Sequence, residues 1–366
     1  MKPKQTIVHL PVYQPGKPIE EVKRELGLTE VIKLASNENP FGSSPKARAA
    51  IEAEIANISL YPDGGAVELT EAVAEYLGVN TNQLIFGAGS DEVILMLARA
   101  FLVQGDETVM ATHTFPQYKH NCEIEGAVSI EVPLKDGTHD LDGMLAAITD
   151  RTKIVWICNP NNPTGTMNTD AEIKAFLAKV PEHVLVVLDE AYCEYNTTGQ
   201  FPDSIEFIGQ YRNVIALRTF SKIYGLASLR IGYGVGHPDV IRSINQVREP
   251  FNTTRFAQAA ALAAIKDQDF IASCREANTA GLNYLTEQFN EMGLQAFPAH
   301  GNFIMVNVGR PAGDVFNGLL RRGIIVRGGH MLGFPTSLRV TIGSREQNEK
   351  FIAALQQVLA EVAVQA

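Results

Sequence analysis

From residue 84 onward, short apolar runs alternate with stretches of helical periodicity. The runs at 84–86, 108–111, 128–132, 154–157, 184–188, 214–217 and 229–235 have the length of strands. Near-continuous apolar strands of this kind are buried on both faces, so the pattern predicts an α/β fold with a mainly parallel sheet covered by helices. Helices are predicted between them at 90–103, 170–179 and 238–246. Two more follow at 256–265 and 270–292, the second long enough to bridge domains. Apolar runs at 303–308, 324–326 and 338–342, with helical stretches at 314–321 and from Arg345, read as a smaller α+β unit.

The chain before residue 84 is less regular. Pro11, Pro15, Pro18 and Pro40 punctuate its start, which predicts an extended arm and a short strand at 31–34 rather than a packed unit. Ser44 ahead of Pro45 is an N-cap followed by proline at the first helical position, so a helix opens there. Tyr61-Pro62-Asp63-Gly64-Gly65 breaks the chain, and another helix runs to Leu77. No internal repeat or low-complexity stretch interrupts this order.

Composition narrows the function classes. The 366 residues correspond to two domains at about 150 residues each, and 45% apolar with 20% charged residues is ordinary globular composition. Lys and Arg number 31 against 41 Asp and Glu, a net charge of −10 without basic blocks. That argues against binding nucleic acid or an anionic membrane, though not against a local basic pocket for an anion. Cys122, Cys158, Cys193 and Cys274 form no C-x-x-C pair and no zinc-ligand spacing, and read as reduced thiols of a cytoplasmic protein. His113, His139 and His330 show no ligand spacing either, and no metal is expected. Met1-Lys2-Pro3-Lys4 leads into no apolar core of signal-peptide length, and no run approaches the roughly 18 residues a membrane span needs.

Four local patterns carry candidate chemistry. Gly87-Ala88-Gly89-Ser90-Asp91-Glu92 follows a strand and opens a helix, where free amides and the helix dipole favour a phosphate. It is not a dinucleotide fingerprint, because Glu92 stands where the third glycine belongs. Alone it more readily describes a capped helix after a tight turn. Asn159-Pro160-Asn161-Asn162-Pro163-Thr164-Gly165 is a loop by composition. Asp189-Glu190-Ala191-Tyr192 ends the run 184–188. A carboxylate at the C-terminal end of a central parallel strand sits where α/β sheets bind ligands, although many such Asp residues only cap. In Thr219-Phe220-Ser221-Lys222-Ile223-Tyr224-Gly225-Leu226-Ala227-Ser228-Leu229-Arg230, Lys222 follows a strand among apolar and hydroxyl side chains, an unusual setting for a lysine.

Together and in this order the four patterns resemble the class I and II aminotransferases, fold type I enzymes that use pyridoxal 5'-phosphate. The resemblance spans about residues 30 to 360. Val12-Tyr13-Gln14-Pro15-Gly16-Lys17-Pro18, Leu34-Ala35-Ser36-Asn37-Glu38-Asn39-Pro40, Tyr61-Pro62-Asp63 and Leu338-Arg339-Val340-Thr341-Ile342-Gly343 are most similar to the histidinol-phosphate branch of that family. The resemblance implies a homodimer that exchanges the amino group of histidinol phosphate with 2-oxoglutarate, physiologically from glutamate. An aromatic-amino-acid aminotransferase on the same scaffold is the nearest alternative, set apart by a few pocket residues.

The resemblance also implies roles. Lys222 would bind the cofactor aldehyde as a Schiff base and then move a proton, with its pKa lowered by desolvation beside Arg230. Asp189 would hold the pyridine nitrogen protonated, and Tyr192 and Asn162 would donate to the ring oxygen O3′. Thr219, Ser221, Arg230 and the helix start at Ser90 and Asp91 would hold the phosphate, mainly through backbone amides at Asp91. Phe115 would stack on the ring, although from sequence a core Phe is nearly as good a reading. Arg339, Arg327 and Tyr13 would recognise substrate, with Asn37 lining the pocket. Tyr61 would reach the partner subunit's phosphate site. With the pattern above, residues 1–40 become an arm and strand joining the small domain, 41–268 the cofactor-binding domain and 269–366 the small domain.

Overall fold

The computed structural model describes residues 1–12 and 18–364. After a two-residue strand β1 (Ile32–Lys33), the apolar runs become β2 (Leu84–Gly87), β3 (Glu107–Ala111), β4 (Val128–Val132), β5 (Thr152–Cys158), β6 (Leu185–Asp189), β7 (Val214–Thr219) and β8 (Gly232–Gly236). These last seven form one sheet in the order β2-β8-β7-β6-β5-β3-β4. It is parallel from β4 to β7, while β8 runs against both of its neighbours.

Helix α1 (Ile19–Leu26) lies before β1, and helices α2 (Pro45–Glu54), α3 (Val67–Leu77), α4 (Ser90–Phe101), α5 (Gln117–Ile124), α6 (Leu141–Ala146), α7 (Asp170–Leu177), α8 (Ser204–Gln210), α9 (Pro238–Asn245) and α10 (Arg255–Ile265) surround the seven-stranded sheet. Strand side chains alternate between faces. Leu185, Val187, Ile215 and Leu217 therefore pack with α4, α5 and α9, through Val93, Leu97, Tyr118 and Ile244. Val186, Leu188, Val214 and Ala216 pack on the opposite face with α2, α3, α7, α8 and α10. Asp189 and Thr219 continue the first series, whereas Glu190 and Arg218 fall in the second.

A second core lies C-terminal. Helix α11 (Gln268–Glu291) places Ile271 and Cys274 in the first core and Leu285 and Phe289 in the second. Beyond it come β9 (Gln295–Ala296), β10 (Phe303–Asn307), α12 (Ala312–Arg321), β11 (Ile324–Ile325), β12 (Arg327–Gly328), β13 (Ser337–Thr341) and α13 (Arg345–Val364). An antiparallel sheet runs β12-β13-β10-β9, and β1 pairs in parallel with β11. Ile32 and Leu34 thus join Ile304, Val306, Leu338, Val340 and Phe351 in the second core.

The arm departs from expectation. Residues 19–26 are helical, with Glu20 and Glu21 in the first turn, basic residues in the last, and left-handed Gly27 closing the end. Val22 packs against Ala35 and Ile325, so this part of the arm is docked and not merely extended. The run at 229–235 begins as a 3₁₀ turn, because Arg230 takes a left-handed φ of 54° and the strand starts only at Gly232. Helices α5, α6 and α8 span 8, 6 and 7 residues, too few turns for a periodic signal. Among the described residues no helix is long and apolar enough to cross a membrane, and no cluster of His, Cys, Asp and Glu could hold a metal ion.

Candidate active site

The sheet's C-terminal edge gathers the predicted groups. At the start of α4, Gly89 has φ 80°, and a Cβ there would lie 2.6 Å from an Arg230 guanidinium nitrogen. A Cβ on Gly232 would lie 2.5 Å from the Ser90 amide nitrogen. Only glycine permits both approaches. Arg230 donates through Nη1 to Ser221 Oγ at 3.3 Å and through Nη2 to Asp91 Oδ2 at 3.1 Å. Asp91 therefore turns its carboxylate onto the cradle's own cation, where the resemblance implied contact mainly through backbone amides. Thr219 is buried and accepts from the Ser221 amide at 3.0 Å, which shapes the loop carrying Lys222. Amides at a helix start, a hydroxyl and a guanidinium facing one another make an anion site.

Asp189 ends β6, 3% exposed. Its Oδ2 accepts from Tyr118 Oη at 2.6 Å and its Oδ1 from the Ala191 amide at 3.2 Å. Among the described residues no cation pairs with it. Burial pushes its carboxyl up to about 6, against the lowering effect of Tyr118. Phe115, half-buried, packs edge-on against Tyr118 with ring centroids 5.6 Å apart.

Lys222 is half-buried. Its Nζ donates to the Ser36 carbonyl at 3.4 Å and lies 5.6 Å from the centre of the Tyr192 ring. Desolvation, and then the charge of Arg339, hold its amine down to about 8. Arg230 contributes less than Arg339, a correction to the neighbour named from sequence. Tyr192 is buried, and burial raises its phenol, so it stays a neutral hydroxyl. Its Oη accepts from Asn37 Nδ2 at 3.1 Å, and Asn37 Oδ1 accepts from Thr341 Oγ1 at 3.0 Å.

Arg339 donates to Asn162 Oδ1 at 2.5 Å and to the Ala35 carbonyl at 2.7 Å, above the Phe303 ring. Arg327 stands directly opposite it, in register across β12 and β13. Two like charges on facing positions repel, and an anion between them would relieve this. Tyr61 is apart from this cluster. It is 77% exposed and stacks on Phe251 at 4.7 Å. Tyr13 lies outside the described residues.

Tyr118, Ser36 and Thr341 are the partners that sequence reading missed. Each meets its target only through long-range packing, so no local spacing could have announced them. The four cysteines are free. His139 is buried against Asn161, at 3.2 Å, with desolvation lowering it to about 4.

A family model described as aminotransferase class I and II matches residues 29–355. The chain is 56% identical over 359 residues to the histidinol-phosphate aminotransferase of Brevibacillus brevis, covering 98% of this chain and 99% of that one. It is 52% identical over 360 residues to the enzyme of that name from Bacillus subtilis, covering 98% and 100%. The crystal structure of histidinol-phosphate aminotransferase from Sinorhizobium meliloti in complex with pyridoxal-5'-phosphate is similar at a TM-score of 0.89 and 29% identity, over 98% of each chain. Thermus thermophilus aspartate aminotransferase with maleate shares the fold, with a TM-score of 0.82 at 24% identity over 94% of this chain and 97% of that one.

Proposed function

The chain belongs to the class I and II aminotransferases, and on that premise we propose that it transfers the amino group of glutamate to imidazole-acetol phosphate. The products are histidinol phosphate and 2-oxoglutarate, in a step of histidine biosynthesis. The observation that carries the substrate choice is the arginine pair, Arg327 facing Arg339.

The cofactor is pyridoxal 5'-phosphate, and the donor set suits it. Ser221, Arg230 and the first amides of α4 would take its phosphate. Asp189, a buried carboxylate without a cation, would take the protonated ring nitrogen. Phe115 would cover the ring face. Asn162 turns its oxygen to Arg339, which leaves its N–H group and the Tyr192 hydroxyl to donate to O3′. When bound, the cofactor supplies an aldehyde that condenses with amines and a ring that accepts the electron pair released at the substrate carbon.

The chain's own residues do the rest. Lys222 must lose a proton before it can attack, and with its amine at about 8 roughly a tenth is neutral at pH 7. At the usual lysine value of 10.5 the neutral fraction would be lower by roughly two orders of magnitude. When not bonded to the cofactor, Nζ would hold and move the proton at the substrate carbon, first as base and then as acid. Asp189, its carboxyl at about 6 and so largely ionised at neutral pH, would keep a proton on the ring nitrogen. Asn37 orients the Tyr192 hydroxyl, and Arg339 also lowers the Lys222 amine, so substrate recognition and proton transfer share a cation.

Phenylpyruvate offers one carboxylate, which Arg339 alone can clamp. The phosphate ester carries nearly two negative charges and can engage Arg339 and Arg327 together. One further charge-assisted hydrogen bond is worth roughly 1.5–3 kcal/mol, about ten- to a hundredfold in specificity. With glutamate as donor, kcat/KM for imidazole-acetol phosphate is therefore expected to exceed that for phenylpyruvate. Arg327→Gln should cut the phosphate substrate more and narrow the ratio. A wild type that prefers phenylpyruvate would move the substrate to aromatic amino acids.

The working form we propose is a cytoplasmic homodimer, its chain divided at 1–40, 41–268 and 269–366. The two cores and the passage of α11 from one to the other support the division. Ile55, Ile58, Leu60, Tyr61 and Val67, all more than half exposed, form a run of apolar surface that a second subunit would cover. In the dimer Tyr61 would reach the other subunit's phosphate cradle. Tyr61→Ala and Lys222→Ala, each inactive alone, should regain part of their activity when mixed, because one hybrid site keeps both groups. Hybrids confirmed by subunit exchange that stay inactive would place Tyr61 in its own site.

A further inference from the structure

Behind the site, on the opposite face of the sheet, a buried ion pair has no part in the chemistry above. Arg218 donates through Nε to Glu190 Oε2 at 3.0 Å, and Ser204, at the start of α8, donates to the same oxygen at 2.9 Å. The Glu190 side chain is 1% exposed and that of Arg218 15%. Glu190 directly follows Asp189, and Arg218 directly precedes Thr219, the last residue of β7 before the loop that leads to Lys222. The pair sits in the layer otherwise filled by Tyr195, Phe207, Phe220 and Tyr233.

Stability alone is a weak reason for it. A buried ion pair pays heavily in desolvation, and apolar side chains of like volume are often as stabilising or more so. Its position is more telling. The strands β6 and β7 are parallel neighbours, and the ladder continues past Asp189 through the Glu190 amide to the Leu217 carbonyl at 2.8 Å. Because side chains alternate, a lock on one face of these strand ends fixes what they present on the other. The guanidinium also sets its charge against Glu190 and Glu194, two carboxylates on the Asp189 side of the loop.

We propose that Glu190 and Arg218, closed by Ser204, are positioning residues that hold the ends of β6 and β7 so that Asp189 and the segment Thr219–Lys222 meet one cofactor at the correct spacing. This rests on the reading that Asp189 and Lys222 hold the two ends of pyridoxal 5'-phosphate. The test replaces the pair together, Glu190→Leu with Arg218→Met, and reads three quantities. These are the melting temperature of the cofactor-free protein, the dissociation constant for pyridoxal 5'-phosphate, and the circular dichroism of the bound cofactor. The double variant is expected to melt at or above the wild type, yet to bind the cofactor roughly tenfold more weakly or worse, by analogy with metal sites that lose the groups orienting their ligands. Its cofactor dichroism should also change, which a purely structural loss would not produce. Wild-type affinity and dichroism in the double variant would overturn the proposal. Should that variant not fold, Arg218→Lys keeps the charge but not the fork onto Glu190 and Ser204. It should weaken binding severalfold, and unchanged binding and dichroism there would equally overturn the brace. Borohydride labelling of the wild type separates the two levels: a label away from Lys222 removes the site reading, whereas a label on Lys222 with unaffected variants removes only the brace.

Discussion

Lys222→Ala is expected to retain the cofactor through the phosphate cradle and Asp189 while losing turnover by more than about 10⁴-fold. Two functions vanish together. The covalent hold at Nζ is lost, and so is the proton carrier between the substrate carbon and the cofactor. Positioned proton transfer alone contributes roughly 10²–10⁴-fold, and groups that act as one unit do not lose their effects additively. Among the described residues the contacts of Nζ supply no substitute base: Tyr192, whose ring centre lies 5.6 Å away, is held neutral by burial, and the Ser36 carbonyl only accepts from Nζ. Pre-steady-state mixing of the variant with glutamate, followed by absorbance, measures the loss. Turnover within tenfold of the wild type would remove Lys222 from the mechanism.

Asp189→Asn is the second large effect, and it should fall on rate more than on cofactor affinity. The asparagine is nearly the same shape, and its one oxygen can still accept from Tyr118. The Ala191 amide would then face the Nδ2 group, donor against donor, which costs stability about 1–3 kcal/mol unless the loop relaxes. What disappears is the negative charge that keeps a proton on the ring nitrogen. Charge of this kind, fixed in a buried site where charge develops, is worth about 3 kcal/mol, or about 10²-fold in kcat. Cofactor affinity should fall far less, because the phosphate contacts proposed for Ser221 and Arg230 would be untouched. Steady-state kinetics and a cofactor titration on the same variant check both halves. Near-normal kcat would refute the role, and equal losses in rate and affinity would make Asp189 an anchor only.

The parallel sheet was legible because its strands are continuous apolar runs, a signal independent of distant partners. Helices α2, α4, α9, α10 and α11 were legible through caps or long periodic faces, as with Ser44 accepting from the Lys46 amide. Short helices such as α5 were not, and α5 brings Tyr118 to Asp189. The candidate site was legible in its residue types, since Lys222 and Asp189 follow predicted strands, whereas Arg230 fell inside the predicted run 229–235 and in fact precedes its strand. Its wiring was not. That Arg339 rather than Arg230 dominates the charge felt by Lys222 depends on how the second core folds back over the first. The Arg327 and Arg339 pairing depends on a two-residue strand, too short to read from any pattern. The brace behind Asp189 was hidden for a related reason. Glu190 and Arg218 look like solvated charges until alternation places both inside.

The most direct test of the central claim is reduction of the cofactor-loaded enzyme with borohydride, followed by peptide mapping. The pyridoxyl group should be found on Lys222, and prior exposure to excess glutamate should protect that lysine, because the amino group is then carried by the cofactor. A label on another lysine, or a label on Lys222 that glutamate does not diminish, would contradict transamination at this site.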